Sequence, residues 1–191
     1  LRDVNKDGKY NISDQGIIGC GQPTFNWGWN NSLYFNNFDL SFFVVGFHGF
    51  DIYNVTRQMG YYNTVQGQNM SVIPNNPELE NRWTTTNTNT DVPGFVNGGT
   101  ENKVFTSRFI EDGSFVKIKS ITLGYSLPRS VCNSAGIKNL RIYGSLQNPF
   151  IFTKYSGMDP EATLGSPLIE GVDWAEYPNS RNFIIGLNFT F

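Results

Sequence analysis

Charge is scarce in this chain: 14 basic and 16 acidic residues among 191 make 16%, where soluble domains carry about 25%. That is too little for a well-solvated surface, while 16 Phe, 9 Tyr and 4 Trp are too many aromatics for a disordered chain. Something other than charge must occupy the outside. A net charge of −2 leaves no clustered Lys and Arg with which to meet nucleic acid or an anionic membrane surface, so nucleic-acid binding is excluded. Long apolar runs are missing too. The longest, residues 42–47, falls far short of the roughly 18 residues of a membrane-spanning helix. No charged stretch followed by an apolar one opens the chain, and Leu1 is not an initiator Met, which fits a processed or partial chain. Cys20 and Cys132 match no metal or redox spacing.

What the sequence does have is alternation. Stretches at about 24–35, 38–47, 115–127, 140–150 and 181–191 switch between apolar and polar residues with period two, the pattern of strands with two unlike faces. Ile121, Leu123, Tyr125 and Leu127 oppose Ser120, Thr122, Gly124 and Ser126, and Phe183, Ile185, Leu187, Phe189 and Phe191 oppose Asn182, Ile184, Gly186, Asn188 and Thr190. The connections run short, long, short, long: Asn36-Asn37, then 49–114, then 128–139, then 153–180. In a soluble sandwich nothing ties loop length to parity, whereas a transmembrane barrel has short periplasmic turns at one rim and long extracellular loops at the other. About 9 to 11 tilted residues cross a bilayer as a strand, so the lengths fit as well. The reading is all-β: antiparallel strands of a transmembrane barrel, with residues 1–22 and the long loops outside the cell and residues 23–191 in the barrel. Five such strands cannot close, since single-chain barrels start at about eight, so the rest of the barrel is expected elsewhere. Trp27, Trp29, Tyr34, Phe35, Phe38, Tyr125, Phe189 and Phe191 are expected to form the aromatic girdles at the two interfaces. Cys20 and Cys132 then belong at opposite rims, too far apart for a bridge.

One stretch carries metal-ligating chemistry. Asp3, Asn5, Asp7, Lys9, Asn11 and Asp14, with Gly8 at the sharp turn, fit a calcium-loop template in which side-chain oxygens converge on one ion and Lys9 offers its carbonyl. Asp14 stands where the template has the longer Glu. An ion-free Asx-rich turn is the alternative. Catalysis finds no support. His48 lacks a nucleophile or second His nearby, and the close carboxylates Glu78 and Glu80, Glu111 and Asp112, and Asp159 and Glu161 read as solvated charge in loops or strand entries. The chain is not expected to be an enzyme.

The C-terminal stretch from Arg181 to Phe191 resembles the assembly signal of outer-membrane barrels, with Phe183, Ile185, Leu187, Phe189 and Phe191 as its apolar positions. Together with Asp3-Val-Asn-Lys-Asp-Gly8, Phe38-Asp-Leu-Ser-Phe42, Ser107 to Phe115 leading to Ile121-Thr-Leu-Gly-Tyr125, and Gln147-Asn148 leading to Phe152 through Pro160, it resembles SusC/RagA-type TonB-linked outer-membrane transporters over nearly the whole chain. Cys20, and apolar Val45 where a polar lumen residue is usual, depart from the pattern. The resemblance implies the C-terminal part of a 22-stranded barrel in the outer membrane of a Gram-negative bacterium, with a plug and TonB-contacting segment in the N-terminal part. It further implies a SusD-like surface lipoprotein over the mouth, TonB-driven import of oligosaccharides or peptides, and no enzymatic activity. The competing reading is a secreted calcium-binding β-sandwich that binds glycans. It requires Phe25, Leu40, Leu123, Ile142 and Leu187 to be buried, where a barrel turns them to lipid.

Overall fold

The computed structural model describes residues 4–8, 12–62, 77–92, 94, 105–134, 136–165 and 169–191. Five long strands make one antiparallel sheet: β1 (Phe25–Phe35), β2 (Phe38–His48), β5 (Phe115–Ser126), β6 (Asn139–Thr153) and β8 (Asn182–Thr190), in the order β1-β2-β5-β6-β8. These are the five alternating stretches of the sequence, with β6 extended by three residues beyond its expected end. At one end of the sheet, the turn end, Asn36 takes φ +52° between β1 and β2, and Asn37 ties that turn to Ser126 at the end of β5. The link from β5 to β6 holds a short helix, α2 (Arg129–Ser134), placed after Pro128, a residue whose fixed φ suits a helix start. At the other end, the loop end, the long connections fold into a compact module. It contains β3 (Asp51–Asn54), α1 (Val55–Tyr62), β4 (Ile110–Asp112) and β7 (Val172–Asp173), and its small sheet has the order β4-β3-β7.

The register explains the alternation. Leu33, Leu40, Leu123, Gly144 and Ile185 lie side by side across the sheet, as do Phe42, Ile121, Leu146 and Phe183. One face is therefore almost wholly apolar, and on the other Ser32, Ser41, Thr122, Ser145 and Ile184 are neighbours. A bulge shifts the phase in β5: Ser120 pairs with Phe43 but Ile118 with Val44, leaving Lys119 unpaired. In β6 the same irregularity falls at Asn148, with φ +50°. The bulge lets Val116 and Ile118 share a face with Ile121 and Leu123, which a single period of two does not allow.

The core does not lie between two sheets. Val45, Phe50, Ile52, Phe115 and Tyr155 form one buried cluster, with Phe47, Ile151 and Leu164 packed against it, and Tyr53, Val55, Val92 and Phe109 form another. Val45, Phe47, Phe115 and Ile151 belong to the polar face of the sheet at its loop end, so the module roofs that end of that face. This accounts for Val45, the apolar residue at a position where the resemblance calls for a polar one: it is 8% exposed beneath the module.

Candidate functional site

Two surfaces of the sheet define what the chain can do. On the apolar face Phe25, Leu123 and Leu187 are 56, 53 and 59% exposed, Ile142 is 42% exposed and Leu40 is half-buried. The sandwich reading needs these side chains buried under a second sheet. Among the described residues nothing covers them, so that reading is set aside. The accessible surface totals 13470 Å², against roughly 9,200 Å² for a compact monomer of 21.5 kDa. The outer edges of β1 and β8 carry no partner strand within the sheet. An apolar face and two open edges are tolerated only where further strands and an apolar medium complete them.

The aromatics gather at both ends of the apolar face. Near the loop end Phe25 stacks on His48 at 5.9 Å, and Trp27 donates its indole N–H to His48 Nε2 at 3.1 Å. This sole histidine of the sequence is thus occupied at the rim. Near the turn end Phe38 packs on Tyr125 at 4.7 Å and Phe189 on Phe191 at 5.3 Å. Tyr34 departs from the expected girdle. It pairs with Asp39, which puts it on the polar face, because parity rather than proximity to a strand end decides the side. Trp29 also lies further in, against Phe42 at 5.0 Å.

The polar face at the turn end carries an ion pair that braces three strands. Arg141 on β6 donates from Nε to Asp39 Oδ1 on β2 at 2.8 Å, and its Nη2 contacts Oδ2. The pair spans β5 over Gly124, where a Cβ would collide with both side chains. Arg141 also lies 5.0 Å over the Tyr143 ring, and a cavity of about 440 Å³ opens beside the pair, lined by Ser32, Tyr34 and Ser126 among others. Asp39 and Gly124 belong to two of the motifs that carry the family resemblance.

At the loop end, buried carboxylates hold the module to the sheet. Lys117 donates to Asp159 Oδ2 at 2.8 Å and Glu161 Oε2 at 2.6 Å, Lys119 pairs with Glu161, and Asn179 donates twice to Asp159 Oδ2 at 3.1 Å. Burial pushes the Asp159 carboxyl upward, but the Lys117 ammonium and the Asn179 donors outweigh it and hold the carboxyl below its ordinary range. Glu111 accepts from Arg57, Asn54 and Ser156. Tyr155 donates its hydroxyl to Asp173, and burial together with that carboxylate pushes the phenol well above its usual value. Of the close carboxylates of the sequence, Asp112 accepts from the N–H of Ser114, while Glu78, Glu111, Asp159 and Glu161 are counterions. Their partners, Lys117 and Arg57, are distant in sequence, and only the fold brings them near.

The metal-ligating stretch is described in part. Asp14 Oδ1 accepts from the N–H of Val4 at 2.8 Å and of Asn5 at 3.5 Å, and Asn5 Oδ1 accepts from the N–H of Asp7 at 3.0 Å. Gly8 takes φ +77°, the left-handed turn that the template requires. Asp14 therefore folds back onto the start of the loop, and Asn5 Nδ2 donates to Asp7 Oδ2 at 3.1 Å, so the described oxygens accept hydrogen bonds from within the loop, the bonding of an Asx-rich turn. Asp3, Lys9 and Asn11 lie outside the described residues. Among the described residues no three His, Cys, Asp or Glu side chains group as a metal site. Cys20 and Cys132 are free thiols; the backbone N–H of Cys20 donates to Asp51 Oδ2 at 3.0 Å at the loop end, and Cys132 is buried in α2 at the turn end.

Comparison with known proteins gives this geometry relatives. No protein-family model matches the chain. TonB-dependent receptor P3 of Formosa agariphila is 36% identical over 196 residues, which cover 99% of this chain and 18% of the relative. TonB-dependent receptor SusC of Bacteroides thetaiotaomicron is 38% identical over 85 residues, 44% of this chain and 8% of the relative. A structure of the RagAB peptide importer in its 'closed-closed' state superposes with a TM-score of 0.76 at 26% identity, covering 96% of this chain and 19% of that one. The chain spans just under a fifth of the length of TonB-dependent receptor P3 and of the matched importer chain. These relatives are receptors and transporters, not enzymes, and the antiparallel sheet matches part of the barrel of SusC/RagA-type TonB-dependent transporters without itself closing.

Proposed function

We propose that this chain is part of the wall of a TonB-dependent outer-membrane importer of SusC/RagA type, with residues 23–191 as barrel and residues 1–22 as an extracellular calcium-loop segment. The observation that carries the reading is the one-sided exposure of the sheet: a continuous apolar face open from β1 to β8, beside a polar face roofed only at the loop end. In this reading the apolar face meets lipid, the polar face lines the lumen, and the module stands at the extracellular mouth. The Phe183, Ile185, Leu187, Phe189 and Phe191 series of the last strand serves as the assembly signal. The full-length protein imports oligosaccharides or peptides, covered by a SusD-like lipoprotein and energised through TonB by its N-terminal part. Isolation of the tagged full-length protein from outer membranes tests this. A chain several times longer than 191 residues, with a gel mobility that changes on boiling and a co-purifying surface lipoprotein, is expected. A soluble product of the present size would overturn it.

Within that reading, calcium stiffens the N-terminal loop. Asp3, Asn5, Asp7 and Asp14 would supply side-chain oxygens, and Lys9 its carbonyl, with Asn11 completing the loop; the closure of Asp14 onto Val4 and Asn5 supports this. Bound calcium would supply charge neutralisation and rigidity, not chemistry. Calorimetric titration of the full-length protein with calcium should show a site that Asp7→Ala abolishes, and no heat beyond dilution would count against it.

A further inference from the structure

Two glycines on the polar face sit beneath large side chains that reach over from neighbouring strands. Tyr34, Asp39, Gly124, Tyr143 and Gly186 form one row across the sheet, from β1 through β2, β5 and β6 to β8. A Cβ on Gly186 would collide with the ring of Tyr143, its direct partner. A Cβ on Gly124 would collide with the Asp39 carboxylate and the Arg141 guanidinium, which meet above it. Arg141 in turn lies 5.0 Å over the Tyr143 ring, so one continuous layer of side chains fills both notches. Not every strand glycine is such a notch. A Cβ on Gly144, next to Tyr143 but on the apolar face, would meet only the Phe183 ring at 4.0 Å, an ordinary contact.

The row stands where the chain itself does least to fix register. The Asn36-Asn37 turn aligns β1 with β2, but residues 49–114 join β2 to β5 and residues 154–181 join β6 to β8, connections too long to set an alignment. Alternation does not complete the task. A slip of one residue would turn every apolar side chain to the wrong face, yet a slip of two restores all the faces. The notches separate these alternatives. Two residues out of register, Tyr143 would face Ile184 or Asn188 in place of Gly186, and Asp39 would face Thr122 or Ser126 in place of Gly124. None of these leaves room for a ring or an ion pair lying across the strand.

We propose that Gly124 and Gly186, keyed by the pair of Asp39 with Arg141 and by Tyr143, set the register of the two strand pairs whose connections cannot, and so select the correctly aligned wall during assembly. This role goes beyond the import reading and rests on contacts within the sheet. The test expresses full-length variants and reads the fraction of chains that show the boiling-dependent gel shift. A glycine inside a strand ordinarily weakens it, so an added side chain is neutral or favourable; at a keyed notch the sign reverses. Gly186→Val and Gly124→Ala should each lower the folded fraction by about fivefold or more, as overpacking does, whereas Gly144→Ala should leave it unchanged. Tyr143→Ala should rescue Gly186→Val, and Asp39→Ala with Arg141→Ala should rescue Gly124→Ala. Alignment is read separately by oxidising paired cysteines. Ile142→Cys should cross-link to Leu187→Cys, its native partner, and in membrane-inserted Gly186→Val chains part of the cross-linking should move to Ile185→Cys or Phe189→Cys. Full folding of both glycine variants, loss without rescue, an equal loss at Gly144, or native-only cross-linking in Gly186→Val chains would each overturn the proposal. A wild-type protein with no heat-dependent shift would sink the import reading instead, and the same variants would then be compared by protease resistance of the sheet.

Discussion

The sheet and the module on top of it bury opposite things. In the long strands the largest apolar side chains point outward, and Phe183, Ile185 and Leu187 are well exposed, while hydroxyls and amides fill the other side. In the module the order is that of a water-soluble domain: Phe50, Ile52 and Phe109 are nearly or wholly inaccessible, and carboxylates reach inside only with Lys117, Arg57 or Tyr155 as partners. One polypeptide thus follows two solvents, and the boundary between them falls at Val45, Phe115 and Lys117, on the polar face where the module settles. The difference teaches that apolar exposure here is a property of one face, not a sign of poor folding.

The comparison breaks most sharply at a core aromatic. Phe109→Ala in the full-length protein should cost about 3–5 kcal/mol in the module alone, read as protease cleavage of the loops in intact cells with an unchanged boiling-dependent gel shift; loss of that shift as well would mean that the two regions are one cooperative unit. On the lipid side, Leu187→Arg should cost about 2–4 kcal/mol and reduce the fraction of folded barrel, whereas Asn188→Arg, one residue on and facing the other way, should be near neutral. Equal effects at the two sites would erase the distinction between faces.

A smaller effect follows from pH. Asp159 has its folded-state pKa depressed by Lys117 and Asn179, so its contribution is present above the ordinary carboxylate value of about 3.9 and is lost as pH falls through the lower folded value. Limited proteolysis at descending pH should show the module loosening below about pH 4, while the sheet keeps its folded mobility. Onset above pH 6 would point to a different group. The smallest effect is expected from chelation of calcium, which should increase cleavage near residues 4–14 and leave both the module and the sheet intact.

The sheet was legible in the sequence because each long strand repeats its alternation often enough for the pattern to stand out, and because the parity of the loops tied the strands into one architecture. The module was not legible. Its strands β3, β4 and β7 have four, three and two residues, too few to show any period. The parallel pairing of Tyr53 with Val172 joins two loops that read as separate. The bulge at Lys119 was hidden for a related reason: one extra residue exchanges the two faces, so Val116 and Ile118 look out of phase with Ile121 until the partner strands are placed. The ion pair between Asp39 and Arg141 was half visible, since Asp39 and Gly124 sit in recognisable motifs, but nothing in sequence spacing links them to Arg141.

The central claim is that the outward apolar face of this sheet meets lipid in a closed barrel. The most direct test places a spin label at each position from Asn182 to Thr190 of the full-length protein in outer membranes and compares collision with oxygen, which dissolves in lipid, and with a water-soluble nickel complex. Oxygen access that peaks at Phe183, Ile185, Leu187 and Phe189, with minima at the residues between, is the expected result. Uniform access to the nickel complex along the strand, or no alternation at all, would contradict it.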